Sequence, residues 1–63
     1  MKIRDVFEHI SFLDDCVLYH VVKQRFVCDR EEFLFEFGDM NYRSMEIGYD
    51  YENDCLIVSV WSD

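Results

Sequence analysis

Cys55-Leu56-Ile57-Val58-Ser59-Val60-Trp61 is the stretch around which the rest of this chain must be arranged. It is rich in β-branched residues, carries no charge, and follows the turn-forming Glu52-Asn53-Asp54. That is the pattern of a buried strand. Leu56, Val58 and Val60 share one face, and Ile57, Ser59 and Trp61 the other. Apolar residues on both faces predict a central or near-central place in a sheet.

Working outward, Glu46-Ile47-Gly48-Tyr49-Asp50-Tyr51 alternates with period two, placing Ile47, Tyr49 and Tyr51 on one side. Residues 46–61 therefore read as a hairpin, with Gly48 suggesting a bulge or close packing. Asn41 to Met45 reads as one helical turn with Tyr42 and Met45 facing inward. Upstream, Phe33, Phe35 and Phe37 alternate strictly with Glu32, Leu34 and Glu36, and we read a half-buried strand there. The rival is a short helix: Asp29 followed by Glu32 is a possible capping box, Phe33 and Phe37 lie four apart, and Gly38 suits a helix end.

Cys16-Val17-Leu18-Tyr19-His20-Val21-Val22 is β-branched and aromatic, which predicts an interior strand after a break at Asp14-Asp15. Either it turns at Lys23-Gln24-Arg25 into a short strand at 26–28, or it runs on to Asp29-Arg30-Glu31. At the start of the chain, Ile3, Val6, Phe7 and Ile10 mark one face of an α-helix of about two turns. Asp5 and Glu8 offer it a capping box, unless it begins a turn earlier. The fold expected is α+β: a short N-terminal helix packed on a four-stranded, mainly antiparallel sheet (α-β-β-β-β), in one domain spanning 1–63. So short a helix leaves one sheet face partly open. Some of Tyr49, Tyr51, Ile57 and Trp61 are expected there, with Ile57 and Trp61 as the candidate oligomer interface of a homodimer or higher oligomer.

The chain has 63 residues, of which 51% are hydrophobic and 17% aromatic, enough for one small core but not two. Three cysteines, Cys16, Cys28 and Cys55, each in or beside an apolar run, read as reduced thiols in a cytoplasmic protein. No apolar run approaches the ~20 residues of a membrane span. The net charge of −8 falls entirely on residues 29–63, because the four cations and four acids of residues 1–28 cancel. Such a field disfavours phosphates and anionic lipid and favours a basic partner. The plainer purpose of surface charge is solubility.

Sites of chemistry are hard to assemble. Cys16, His20, Cys28 and Cys55 are zinc-ligand types, but no two cysteines have the two-to-four-residue spacing of a knuckle. Residues four apart on a strand lie ~13 Å from each other, too far for one ion. Asp50, Glu52 and Asp54 alternate like the start of a calcium loop, yet Cys55 stands where the sixth-position glycine belongs. Nucleophilic catalysis needs a cysteine or serine beside a histidine, but Cys16 and His20 on one strand face are too far apart and His9 belongs to another element. No glycine-rich loop can hold phosphate. No cofactor, no metal and no enzymatic activity are expected. What remains is an acidic, tyrosine-rich set: Glu31, Glu32, Glu36 and Asp39, then Asp50, Glu52 and Asp54 with Tyr49 and Tyr51.

With its opening Met1-Lys2-Ile3-Arg4-Asp5, amphipathic helix, short strands and closing Asn53-Asp54-Cys55-Leu56-Ile57-Val58-Ser59-Val60, the chain resembles a loose group. These are the short acidic proteins encoded on phages and integrative elements of Gram-positive bacteria. That company includes anti-CRISPR inhibitors, some of which look like nucleic-acid mimics. The resemblance implies a protein-binding inhibitor whose acidic half engages a basic surface on a nucleic-acid-handling defence protein. Two alternatives belong to other classes: an oligomer acting directly on DNA, similar to a four-strand, one-helix single-strand-binding fold, and a small regulatory homodimer.

Overall fold

A computed structural model of the chain describes residues 1–10 and 16–63. The expected break at Asp14-Asp15 lies outside the described residues. The elements run α1 (Ile3–Glu8), β1 (Val17–His20), β2 (Arg25–Val27), α2 (Arg30–Phe37), β3 (Tyr42–Asp50) and β4 (Cys55–Ser62). The four strands form one sheet in the order β2-β1-β4-β3. β1–β2 and β3–β4 are antiparallel, while β1 and β4 run parallel at the centre. The α+β arrangement, the N-terminal helix and the mainly antiparallel four-stranded sheet are as the sequence predicts. Cys55–Ser62 is central, bonded on both sides.

The strand read at Phe33–Phe37 is instead the second helix, so the order is α-β-β-α-β-β. Asp29 caps it by accepting the Glu31 N–H at 3.0 Å, and Glu31 and Glu32 sit in its first turn, where acids favour the helix dipole. Phe33 and Phe37, four apart, fall on its buried face, while Phe35 is 91% exposed. Phe33 lies nearly parallel to Phe7 of α1 at 5.6 Å and tilted against Phe37 at 5.1 Å, so the aromatic cluster joins the two helices.

Other expectations are also corrected. Tyr42 to Met45 belong to β3 rather than to a helical turn, though both named side chains do pack on the core. The bulge lies between Tyr42 and Ser44, not at Gly48, where an added Cβ would meet nothing within 4 Å. The first strand turns at Val21–Gln24, with Gln24 left-handed at φ 54°, so the short-strand alternative holds. α1 starts a turn before Asp5, whose carboxylate accepts the Lys2 N–H at 3.3 Å.

Buried Leu18, His20, Val58, Val60 and Ser62 define the face of the sheet beneath the helices. They meet Ile3, Phe7, Phe33 and Phe37 there, in the apolar layer that the two short helices enclose. No described helix covers the opposite face, which carries Val17, Tyr19, Phe26, Ile57 and Trp61, with Tyr19 stacked on Phe26 at 4.2 Å.

Candidate functional site

The acidic residues singled out from the sequence divide into two groups with different surroundings. Arg25 of β2 reaches across to α2, meeting Glu36 at 2.9 Å and Glu32 at 4.0 Å. Arg4 meets Asp39 at 3.6 Å and also donates to the Leu34 carbonyl at 3.1 Å. Two cations of the charge-balanced first half thus offset most of the charge of three acids of the second, and Glu32, Glu36 and Asp39 do not form a free acidic surface. Glu31 is exposed, with no ion pair among the described residues.

Asp50, Glu52 and Asp54 occupy the tip of the β3–β4 hairpin, and no ion pair among the described residues involves them. Asp50 closes the turn by accepting the Glu52 N–H at 3.0 Å, the Asn53 N–H at 3.4 Å and the Asn53 side-chain amide at 2.6 Å. The Asn53 side-chain bond, then its backbone bond and that of Glu52, hold the Asp50 carboxyl below the ordinary carboxylate pKa. Asp54, left-handed at φ 55°, accepts a hydrogen bond from the Tyr49 hydroxyl. Tyr49 meets Tyr51 edge-on at 5.0 Å, and Tyr51 is 88% exposed. The tip is therefore a preformed turn with three carboxylates and an exposed aromatic ring.

Charge is segregated along the strands, which the division into sequence halves did not show. β1 and β4 are parallel, so the start of β1, the start of β4 and the end of β3 lie at one end of the sheet. The hairpin tip is there, and so is the first turn of α2, because β2 runs back beside β1. Asp29, Glu31, Asp50, Glu52 and Asp54 lie at this end, with Arg30, which donates to the Phe7 carbonyl at 2.6 Å, the one cation in the first turn of α2. Lys23 and Arg25 lie at the other end, with Arg43 beside Asp63 at 3.9 Å and Lys2 beside Asn41 at 3.2 Å. The chain is 32 Å in its longest dimension, several screening lengths at physiological salt, so the two ends act independently.

Ile57 and Trp61, named for oligomerisation, lie half-buried on the helix-free face. Of the other two candidates for that face, Tyr49 lies on the opposite one, opposed to Leu56, and Tyr51 belongs to the turn. Cys16 is buried and Cys55 partly so, but Cys28 is exposed rather than packed as an apolar residue. Among the described residues no group of three or more His, Cys, Asp or Glu is arranged to hold a metal ion, and no helix is long and apolar enough to cross a membrane.

The sequence reading missed the buried His20. The backbone N–H of Lys23 donates to its Nδ1 at 3.1 Å, which leaves the proton on Nε2 to reach Ser62 Oγ at 2.8 Å. Its place beside Leu18 on one strand face was the available signal. Compared with known protein families, curated proteins and solved structures, the chain matches none.

Proposed function

We propose that this chain is a non-enzymatic binding module whose acidic hairpin tip docks on a cationic surface of a protein partner. The observation that carries this reading is the contrast between the two acidic groups. Arg4 and Arg25 pair with Asp39, Glu32 and Glu36, whereas Asp50, Glu52 and Asp54 have no such cation among the described residues. An ion-paired carboxylate has little left to offer a partner; the tip carboxylates keep their full long-range attraction. Tyr51 supplies the short-range contact, since an exposed aromatic ring beside charge is a frequent energetic centre of interfaces and can stack on arginine.

A surface that binds nucleic acid is one cationic target of this kind, and an inhibitor occupying it is the specific role we favour. The acidic tip repels nucleic acid itself, so direct DNA binding is the weaker reading.

Binding of a lysine- and arginine-rich peptide, followed by fluorescence anisotropy at low and physiological salt, tests the reading. Glu52→Lys and Tyr51→Ala alter exposed side chains, so the fold is retained. Each is expected to weaken binding, Glu52→Lys by tenfold or more, equivalent to ~1.4 kcal/mol. Equal binding by the wild type and both variants would overturn the proposal. Capture of a single-stranded oligonucleotide in place of the peptide would favour direct DNA binding instead.

A further inference from the structure

β3 is nine residues long and lies at the edge of the sheet, paired with β4 alone. Among the described residues its outer side is covered only at the start, where the Tyr42 N–H donates to the Met1 carbonyl at 2.8 Å and Lys2 bridges Asn41. From Arg43 to Asp50 no other described strand lies against it. An edge of this length is usually blunted by proline, a mid-strand bulge or a covering segment. β3 has no proline, and its bulge is at its beginning. On the helix side, Met45, Ile47 and Tyr49 stand opposite Val60, Val58 and Leu56. α2 packs on β1 and β2, leaving Ile47 60% and Tyr49 43% exposed.

We infer that this edge takes the β3 strand of a second copy of the chain, antiparallel about a twofold axis through Ile47, joining the two sheets into one of eight strands. The occupant follows from charge. Arg43, exposed and only loosely paired with Asp63 at 3.9 Å, stands second in β3, which ends with Asp50 and is followed by Glu52 in the turn. Antiparallel pairing sets the cationic start of each strand against the acidic end of the other, whereas a parallel pair would align like with like. Each chain carries −8, but beyond about 8 Å that repulsion is largely screened at physiological salt, so contacts along the edge decide.

The register follows from β geometry. Opposed residues in an antiparallel pair lie on the same face, so a twofold axis normal to the sheet passes through a residue position and not between two. An axis at Glu46 sets that carboxylate against its own copy; an axis at Gly48 sets Glu46 against Asp50. Both juxtapose like charges, which destabilises a cross-strand pair. An axis at Met45 brings Tyr49 to Asn41, whose outer side Lys2 already occupies. The axis at Ile47 avoids all three. It opposes Ile47 to Ile47, Met45 to Tyr49, Glu46 to Gly48 and Ser44 to Asp50, making the exposed apolar ledge continuous across the junction.

Light scattering over a concentration series is expected to show a species of twice the 7.7 kDa chain mass, and Ile47→Lys is expected to return it to monomer with unchanged circular dichroism. In a Cys28→Ser, Cys55→Ser background, Ile47→Cys should cross-link to its counterpart on mild oxidation. Met45→Cys should not, because its counterpart would be ~13 Å away along the strand, beyond disulfide reach. A wild-type monomer throughout the series, a dimer that survives Ile47→Lys, or cross-linking at residue 45 but not 47 would each overturn the inference. The pairing does not depend on the cationic partner proposed above: peptide binding and association are separate measurements.

Discussion

His20 and Ser62, on the two parallel strands at the centre of the sheet, share a buried hydrogen bond of 2.8 Å from Nε2 to Oγ. The second ring nitrogen accepts the Lys23 N–H, so the imidazole ties β1 both to β4 and to the turn that leads into β2. Phe37 stacks on the same ring at 4.3 Å. The residue thus joins the two strands, the turn and the second helix.

This arrangement requires neutral imidazole. Protonation would place a hydrogen on Nδ1, where the Lys23 N–H already points. Burial lowers the His20 pKa below its ordinary 6.5, the Lys23 charge lowers it further, and Glu36 opposes them. With the folded pKa depressed, the unfolded chain binds the extra proton. The stabilisation is complete above pH 6.5 and is lost as the pH falls through the folded-state value. Urea midpoints measured from neutral to mildly acidic pH should therefore decline in the wild type, with a shallower decline in His20→Gln. Equal slopes would show that another group carries the titration.

Phe33 and Phe35 provide the sharpest contrast in stability. Phe33 lies among Phe7, Phe37 and His20, and its truncation to alanine is expected to cost ~3–5 kcal/mol, comparable to the total stability of a chain this short. Phe35→Ala, in solvent, should stay within ~0.5 kcal/mol. Thermal melts followed by circular dichroism would show one variant largely unfolded and the other nearly unchanged. Comparable losses would contradict the helix.

The same residues show what was legible in the sequence. Phe33 and Phe37 share a face whether the period is two or 3.6, and so do Glu32 and Glu36. Only Phe35 distinguishes strand from helix, and an exposed phenylalanine is a poor guess from sequence. The terminal hairpin was legible because Leu56, Val58 and Val60 alternate without an equally good helical alternative. The acidic tip was legible as composition. Its isolation from Arg4 and Arg25 was not, because those pairs join residues far apart in the chain.

The two glycines should respond oppositely to alanine. A Cβ at Gly38 would come within 2.3 Å of the Leu34 carbonyl oxygen and 2.7 Å of the Arg4 guanidinium. The backbone oxygen cannot step aside cheaply, so Gly38→Ala is expected to cost ~1–3 kcal/mol. Gly48 has open space and no positive φ, and Gly48→Ala should be neutral or stabilising by ~0.4–1 kcal/mol through the unfolded state. Chemical denaturation of both variants checks the pair; a destabilised Gly48→Ala would mean that the strand needs glycine for a reason outside its local space.

Arg25→Gln separates the structural role of charge from its proposed binding role. The guanidinium is half exposed, so losing its contacts with Glu36 and Glu32 should cost no more than ~1 kcal/mol. A double-mutant cycle with Glu36→Gln would read the coupling directly. The substitution also removes one positive charge and frees two carboxylates, which would strengthen cationic-peptide binding if total charge governed it. Arg25 and Glu36 lie toward the end of the sheet away from the hairpin tip, and Glu32 lies over its far edge, since α2 packs on β1 and β2 while the tip joins β3 to β4. The field at the tip is screened over about 8 Å. Peptide affinity should therefore stay within about twofold of the wild type, against the tenfold loss expected for Glu52→Lys. A marked gain on Arg25→Gln would mean that the partner reads the whole acidic surface, and the tip would lose its special standing.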